Sequence, residues 1–171
     1  TTIGGANPAQ RNVIADLLSA IVLGAGSTGS QVDGNLLGTD KLGNADFGGA
    51  GGIVMLDADN SAIGTVAPNT IRHFSKGIAL TTDVRGVDLA NNRISDSGTL
   101  GIDLNNNGLT PNDVNDVDTG ANDLQNFPLI TAAQRAAGGV ALSGTLDVGH
   151  PGTLAYKLTA YASSVCQPSG H

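Results

Sequence analysis

Glutamate and tryptophan are absent from the 171 residues, cysteine occurs once, and only three lysines and five arginines are present. Each shortage excludes something. With no Glu, all fifteen acidic residues are Asp, and together with fifteen Asn and 25 Gly they fill 55 of the 171 positions. Glu favours helix, whereas Asp, Asn and Gly favour caps and turns, so a helical bundle is excluded. The few basic residues stand singly and form no stripe that could neutralise a phosphate backbone or an anionic lipid surface, which argues against nucleic acid and membrane-surface partners. The longest apolar stretch, residues 13–23, is broken by Asp16 and falls well short of the roughly 20 residues that span a bilayer. Cys166, alone, can form neither an internal disulfide framework nor a cysteine-based zinc site.

What is abundant is ordered. A shift of 57 residues superposes Asn12, Ile14, Ile21, Leu23, Asn35 and Leu37 on Asn69, Ile71, Ile78, Leu80, Asn92 and Ile94. Within each copy the two Asn are 23 residues apart, so the basic unit is about 23 residues and an insertion lengthens the second. Each unit carries a small residue followed by aliphatics two apart: Ala20-Ile21-Val22-Leu23, Gly52-Ile53-Val54-Met55, Gly77-Ile78-Ala79-Leu80 and Gly101-Ile102-Asp103-Leu104. A third short apolar element recurs at Thr2-Ile3, Val32, Ala62-Ile63 and residues 87–89. Three period-2 segments per unit, punctuated by turn residues, predict three strands per coil, each stacked on its equivalent one coil away. A helix over residues 12–23 fails because its copy, residues 69–80, follows Pro68 and contains Gly77. The Asn at 12, 35, 69 and 92 should then stack as a ladder at one corner. The expected fold is all-β: a right-handed parallel β-helix (solenoid) of about four coils over residues 1–104, an acidic closing loop over 105–130, and a C-terminal β-hairpin or partial β-sandwich over 131–171.

The phrases Thr2-Ile3-Gly4-Gly5, Arg11-Asn12-Val13-Ile14, Gly34-Asn35-Leu36-Leu37-Gly38-Thr39 and Leu100-Gly101-Ile102-Asp103-Leu104 resemble the coils of bacterial right-handed parallel β-helix proteins with the pectate-lyase-like fold. The segment from Gly108 through Asp116, Asp118 and Gly120 to Pro128 resembles the closing segment of such repeats, and residues 140–170 resemble the β-sandwich-like module that follows. The resemblance implies a secreted or bacterial cell-surface protein, cut from a longer chain at both ends, in which Cys166 either pairs with a downstream cysteine or is an incidental thiol. In that tail, Val140-Ala141-Leu142-Ser143 and Leu154-Ala155-Tyr156-Lys157-Leu158 read as two strands around a turn at 147–152. Members of this fold range from lyases to adhesins, so it transfers little chemistry.

The acidic stretch is the best candidate site. Asp103, Asp113, Asp116, Asp118 and Asp123 fall within 21 positions, and no basic residue occurs between Arg93 and Arg135. The spacing Asp103, Asn105, Asn107, Gly108 copies the first half of an EF-hand-like calcium loop, in which alternate oxygens converge and Gly permits the turn. Its twelfth position is Val114 instead of Glu, so an EF-hand is excluded and a site would recruit Asp113, Asp116 or Asp118. The expected metal set is therefore Asp103, Asn105, Asn107, Asp113, Asp116 and Asp118, with calcium (Ca2+) as the cofactor; a plain polar loop is the standing alternative.

Catalytic residues are not identifiable. A lyase of this fold would place a base near Arg72, Lys76, Arg85 or Arg93, and a glycosidase could use any two of Asp57, Asp59, Asp83 and Asp88, although each of these aspartates reads first as a turn residue. His73, His150 and His171 form no constellation, and Ser143 and Ser164 lack a nucleophile context. The expected function is an extracellular structural and adhesive module with calcium stabilisation. The alternative is a polysaccharide-active enzyme, a lyase or glycoside hydrolase, or a carbohydrate-binding module. Expected partners are a polysaccharide or other surface ligand and, through open strand edges, end-to-end self-association.

Overall fold

The recurring aliphatic phrases fold as strands. The computed structural model describes residues 1–81, 83–149 and 156–161. Its first sheet joins β1 (Thr2–Gly4), β4 (Gln31–Asp33) and β7 (Ala62–Ile63). The second joins β2 (Val13–Ile14), β5 (Leu36–Leu37), β8 (Thr70–Arg72) and β10 (Arg93–Ser95), and the third β3 (Ser19–Leu23), β6 (Gly51–Met55), β9 (Lys76–Leu80) and β11 (Leu100–Leu104). All pairings in these three sheets are parallel. A fourth sheet is the antiparallel pair β12 (Leu129–Ala136) and β13 (Gly139–Thr145). Helix is confined, among the described residues, to two short 3-10 turns, Pro8–Gln10 and Ala121–Leu124. The protein is all-β with short, separate parallel sheets.

The chain visits the three parallel sheets in fixed rotation. After β7 the first sheet is met once more through the isolated parallel bridge between Ala62 and Asp88. The register matches the sequence repeat: Ile21 lies against Ile53, Ile53 against Ile78 and Ile78 against Ile102. The neighbouring column is Leu23, Met55, Leu80 and Leu104. These side chains, with Val32 and Ile63 of the first sheet and Leu37 and Ile71 of the second, form one apolar cluster that also takes in Phe74. Full burial of each such side chain is worth about 1.5–3 kcal/mol, so the cluster drives the fold.

The small residue ahead of each aliphatic pair has a packing reason. A side chain at Gly77 would overlap Ile94 and the Gly101 carbonyl, and one at Gly52 would overlap Ile71. In the second and third units the approach of the second sheet to the third therefore requires glycine, whereas the first unit carries Ala20 there and Gly101 has room for a Cβ. The longer second unit is also accounted for, since the segment between β5 and β6 is an extended loop where the other units turn within a few residues.

The Asn ladder forms. Asn12 Nδ2 donates to Asn35 Oδ1 (2.9 Å), Asn35 Nδ2 to Asn69 Oδ1 (3.0 Å) and Asn69 Nδ2 to Asn92 Oδ1 (2.9 Å). Asn35, Asn69 and Asn92 are buried, and their amides also reach main-chain carbonyls, among them Val32 from Asn69 and Ile63 from Asn92. A buried amide without such partners would cost about 1–3 kcal/mol, so the ladder fixes how one corner stacks on the next.

The C-terminal strands differ from expectation. Residues 139–145 do form a strand, but its partner is the preceding segment 129–136, joined through Ala137-Gly138 with Gly138 at φ +85°. A two-residue turn containing a positive-φ glycine closes this hairpin locally, whereas pairing with residues 154–158 demands a longer loop. Residues 156–158 carry no strand; Leu154, Ala155, His150, Ser164, Cys166 and His171 lie outside the described residues.

Candidate metal centre

The six sequence-predicted ligands divide into two groups. Asp103 is the penultimate residue of β11, and its carboxylate is fully buried. It accepts the main-chain N–H of Asn107 (3.2 Å) and of Gly108 (3.1 Å), and it pairs with the Lys76 ammonium at 2.7 Å. Lys76 Nζ also donates to the main-chain carbonyl (2.9 Å) and side-chain carbonyl (2.8 Å) of Asn106. The loop that copies the first half of a calcium site thus folds around a tethered ammonium. Asn105 is likewise engaged, its Oδ1 accepting the Ala121 N–H at 2.8 Å. Asn105 and Asn106 both have positive φ, which Asn tolerates at low cost, so the turn is compact.

Asp113, Asp116 and Asp118 do converge. Each offers a carboxylate oxygen lying within 4.8 Å of those of the other two, and all three residues are partly buried. The loop that gathers them turns through Asn115 (φ +63°) and Asp116 (φ +52°). Asp113 Oδ2 accepts the Val117 N–H (3.2 Å) and Asp116 Oδ1 accepts the Asn126 N–H (2.8 Å). Asp113 Oδ1 and Asp118 Oδ1 are buried and have no hydrogen-bond partner among the described residues. Partial burial, reinforced by the charges of Asp113 and Asp116, pushes the Asp118 carboxyl above its usual range. Buried carboxylate oxygens with neither donor nor counter-ion are costly, and three such groups repel one another. A hard cation removes both penalties. An all-oxygen set of this kind suits calcium or magnesium over the softer transition metals. The triad can hold a metal ion; Asp103 is not part of it.

Two features central to this arrangement were not read from the sequence: Lys76, named there only as a candidate base, as the partner of Asp103, and Asn126. Lys76 lies 27 positions from Asp103 and meets it only because β9 stacks on β11. Asn126, buried at 4% exposure, accepts the Asp113 N–H (3.0 Å) through Oδ1 and donates through Nδ2 to the carbonyls of Asp113 (2.8 Å) and Asp147 (3.2 Å). In a chain with fifteen Asn, nothing in the sequence distinguished it.

The candidate bases are mostly committed elsewhere. Arg72 reaches Asp96 through Nη2 (2.7 Å) and Nε (3.0 Å) and donates to the Gly43 carbonyl, and that guanidinium holds the Asp96 carboxyl below its usual range. Arg85 approaches Asp123 at 3.6 Å. Among the candidate glycosidase aspartates, Asp59 accepts the Arg85 main-chain N–H (2.7 Å) and Asp88 that of Ala90 (3.0 Å), both turn-stabilising bonds. His73, at φ +63°, lies 3.8 Å from Asp46. Among the described residues, no helix is long and apolar enough to cross a membrane. No family model, curated protein or solved structure matches the chain.

Proposed function

We propose that the three parallel sheets are about four coils of a right-handed parallel β-helix and that the chain is an extracellular structural and adhesive module stabilised by calcium. One observation carries this reading: two buried carboxylate oxygens without a hydrogen-bond partner among the described residues, in a triad of aspartates in the segment that follows the last coil. Such a triad suits a structural ion. With three carboxylates supplemented by main-chain carbonyls and water, its affinity would belong to the weaker range of extracellular calcium modules, which favours a compartment rich in that ion. The pairing of Lys76 with Asp103 and of Arg72 with Asp96 supports a scaffold role, since both cations hold one coil to the next.

Calorimetric titration with calcium, with EGTA as control, tests the reading directly. Binding heat and a raised melting temperature are expected, amounting to about 2.7 kcal/mol of added stability when calcium is a hundredfold above its dissociation constant. Absence of both sinks the calcium reading.

A polysaccharide-active enzyme or carbohydrate-binding module is the second reading, favoured by a shallow groove on the outside of the third sheet lined by Leu18, Ser19, Val54, Ser75, Lys76 and Asn106. Screening on pectate, alginate, xylan and cellulose separates the two: turnover abolished by changing a single coil Asp or Arg would favour the enzyme. The outer edges of β1, β2 and β3, which end their sheets, support self-association, read out as concentration-dependent sedimentation.

A further inference from the structure

The acidic loop does more than gather three carboxylates; it grips both roots of the hairpin. On the β12 side, Asn112 makes a reciprocal pair with Phe127, Nδ2 donating to the carbonyl (2.8 Å) and Oδ1 accepting the N–H (2.9 Å). Next to it, Asn126 donates its N–H to Asp116 and exchanges side-chain bonds with the main chain of Asp113. On the β13 side, Asp147 Oδ2 accepts the Asn115 N–H (3.1 Å), and the Asp147 carbonyl accepts from Asn126 Nδ2. Asn126 therefore ties the loop to the residues just before β12 and just after β13 at once.

The same loop continues into a segment fastened to the parallel sheets. The Asn122 N–H donates to the Val84 carbonyl (2.8 Å), and its side-chain amide pairs with both main-chain groups of Val87, accepting at 2.9 Å and donating at 2.9 Å. Ala121, fully buried, joins the apolar cluster. The segment after the aspartate triad is thus anchored to the parallel sheets, and the stretch that carries the triad, residues 112–116, is bonded to both hairpin roots.

We infer that cation binding at Asp113, Asp116 and Asp118 is a latch that fixes the hairpin's orientation on the parallel-sheet body. The inference rests on the calcium reading above and names what occupancy regulates. It has the buried Oδ1 atoms of Asp113 and Asp118, which find no hydrogen-bond partner among the described residues, as evidence for a ligand beyond the acidic cluster itself. Without a cation, mutual repulsion of the carboxylates works against the loop conformation in which Asp116 accepts from Asn126 and Asn115 donates to Asp147. With one bound, the repulsion becomes attraction to a shared centre, and the bonds to both hairpin roots are held together. The hairpin itself supplies little to hold its position, since β13 is exposed along its whole length and β12 along all but Ala132.

The test is a distance distribution between spin labels at Val66→Cys on the body and Ser143→Cys on the hairpin, in a Cys166→Ser background, with calcium and with EGTA. A single narrow distribution is expected in calcium, and its loss in EGTA. Asn126→Ala, which breaks the latch without removing a carboxylate, is expected to broaden the distribution with calcium present. Calcium binding by calorimetry with an unchanged distribution overturns the latch and leaves the calcium reading standing. No binding at all overturns both.

Discussion

The parallel sheets and the hairpin are built from similar residues and meet opposite fates. In the third sheet Ile53, Met55, Ile78 and Leu80 are all fully buried, whereas in the hairpin Leu129, Ile130, Val140 and Leu142 are each 46–63% exposed. Aliphatic content does not explain the contrast. Stacking does: each parallel strand has a strand of another unit beside it and two other sheets opposite, while the hairpin is a two-stranded sheet with neither among the described residues. A free two-stranded hairpin is marginal in water. The hairpin therefore takes its position from polar contacts at its roots, and the body from its core.

Substitutions sharpen this contrast. The largest effect is expected from Ile78→Ala, which opens a cavity in the apolar cluster and should cost about 2–5 kcal/mol in denaturant unfolding. Leu142→Ala, an equivalent truncation on the hairpin, should fall within about 0.5 kcal/mol of the parent. Equal losses at the two sites would break the comparison. Asn69→Ala comes next. It takes the acceptor from the buried Asn35 main-chain N–H and the donor from Asn92 Oδ1 and should cost about 1–3 kcal/mol for each buried group left unsatisfied. Asn112→Ala, at a root of the hairpin, should leave the unfolding midpoint of the body nearly unchanged while weakening protection of the Phe127 amide from hydrogen exchange.

The smallest effects concern pH, and the two carboxyls have opposite signs. Asp96 sits below its usual range because of Arg72, so its pairing stabilises the fold above the ordinary carboxylate pKa and that stability is lost as pH falls through the lowered folded value. Asp118 sits above its usual range, so without a cation it carries a penalty at neutral pH that is relieved as pH falls through the raised value. In EGTA, Asp96→Asn should lower the melting temperature at neutral pH and converge with the parent in acid. Asp118→Asn should raise it at neutral pH and likewise converge. With calcium present the sign for Asp118→Asn should reverse, because the substitution then removes a ligand charge.

Much of the body was legible from short-range spacing. Isoleucines 21, 53, 78 and 102 recur after the same small-residue cue and do stack. The recurrent Asn could be read as a ladder because one residue type returned at one point of each unit. The site was legible only in part. Asp113, Asp116 and Asp118 lie close in sequence and come together. Asp103 and Asn105 fit a spacing pattern, yet Asp103 meets an ammonium from the neighbouring strand β9 and Asn105 a main-chain N–H sixteen residues on. Spacing records which residues share a turn; it does not record which cation a neighbouring strand delivers to that turn.

The sequence alone thus determined the repeat, its corners, the exclusion of helix and the concentration of charge in one segment, because these follow from local conformational preference and a strand period of two. Only the tertiary structure decided which acids remain unpaired, which strand the tail pairs with, and that Asn126 joins loop to hairpin. Those outcomes depend on stacking offsets and turn closure between distant residues, where the energy of one buried hydrogen bond or ion pair selects among arrangements that local preference leaves equal.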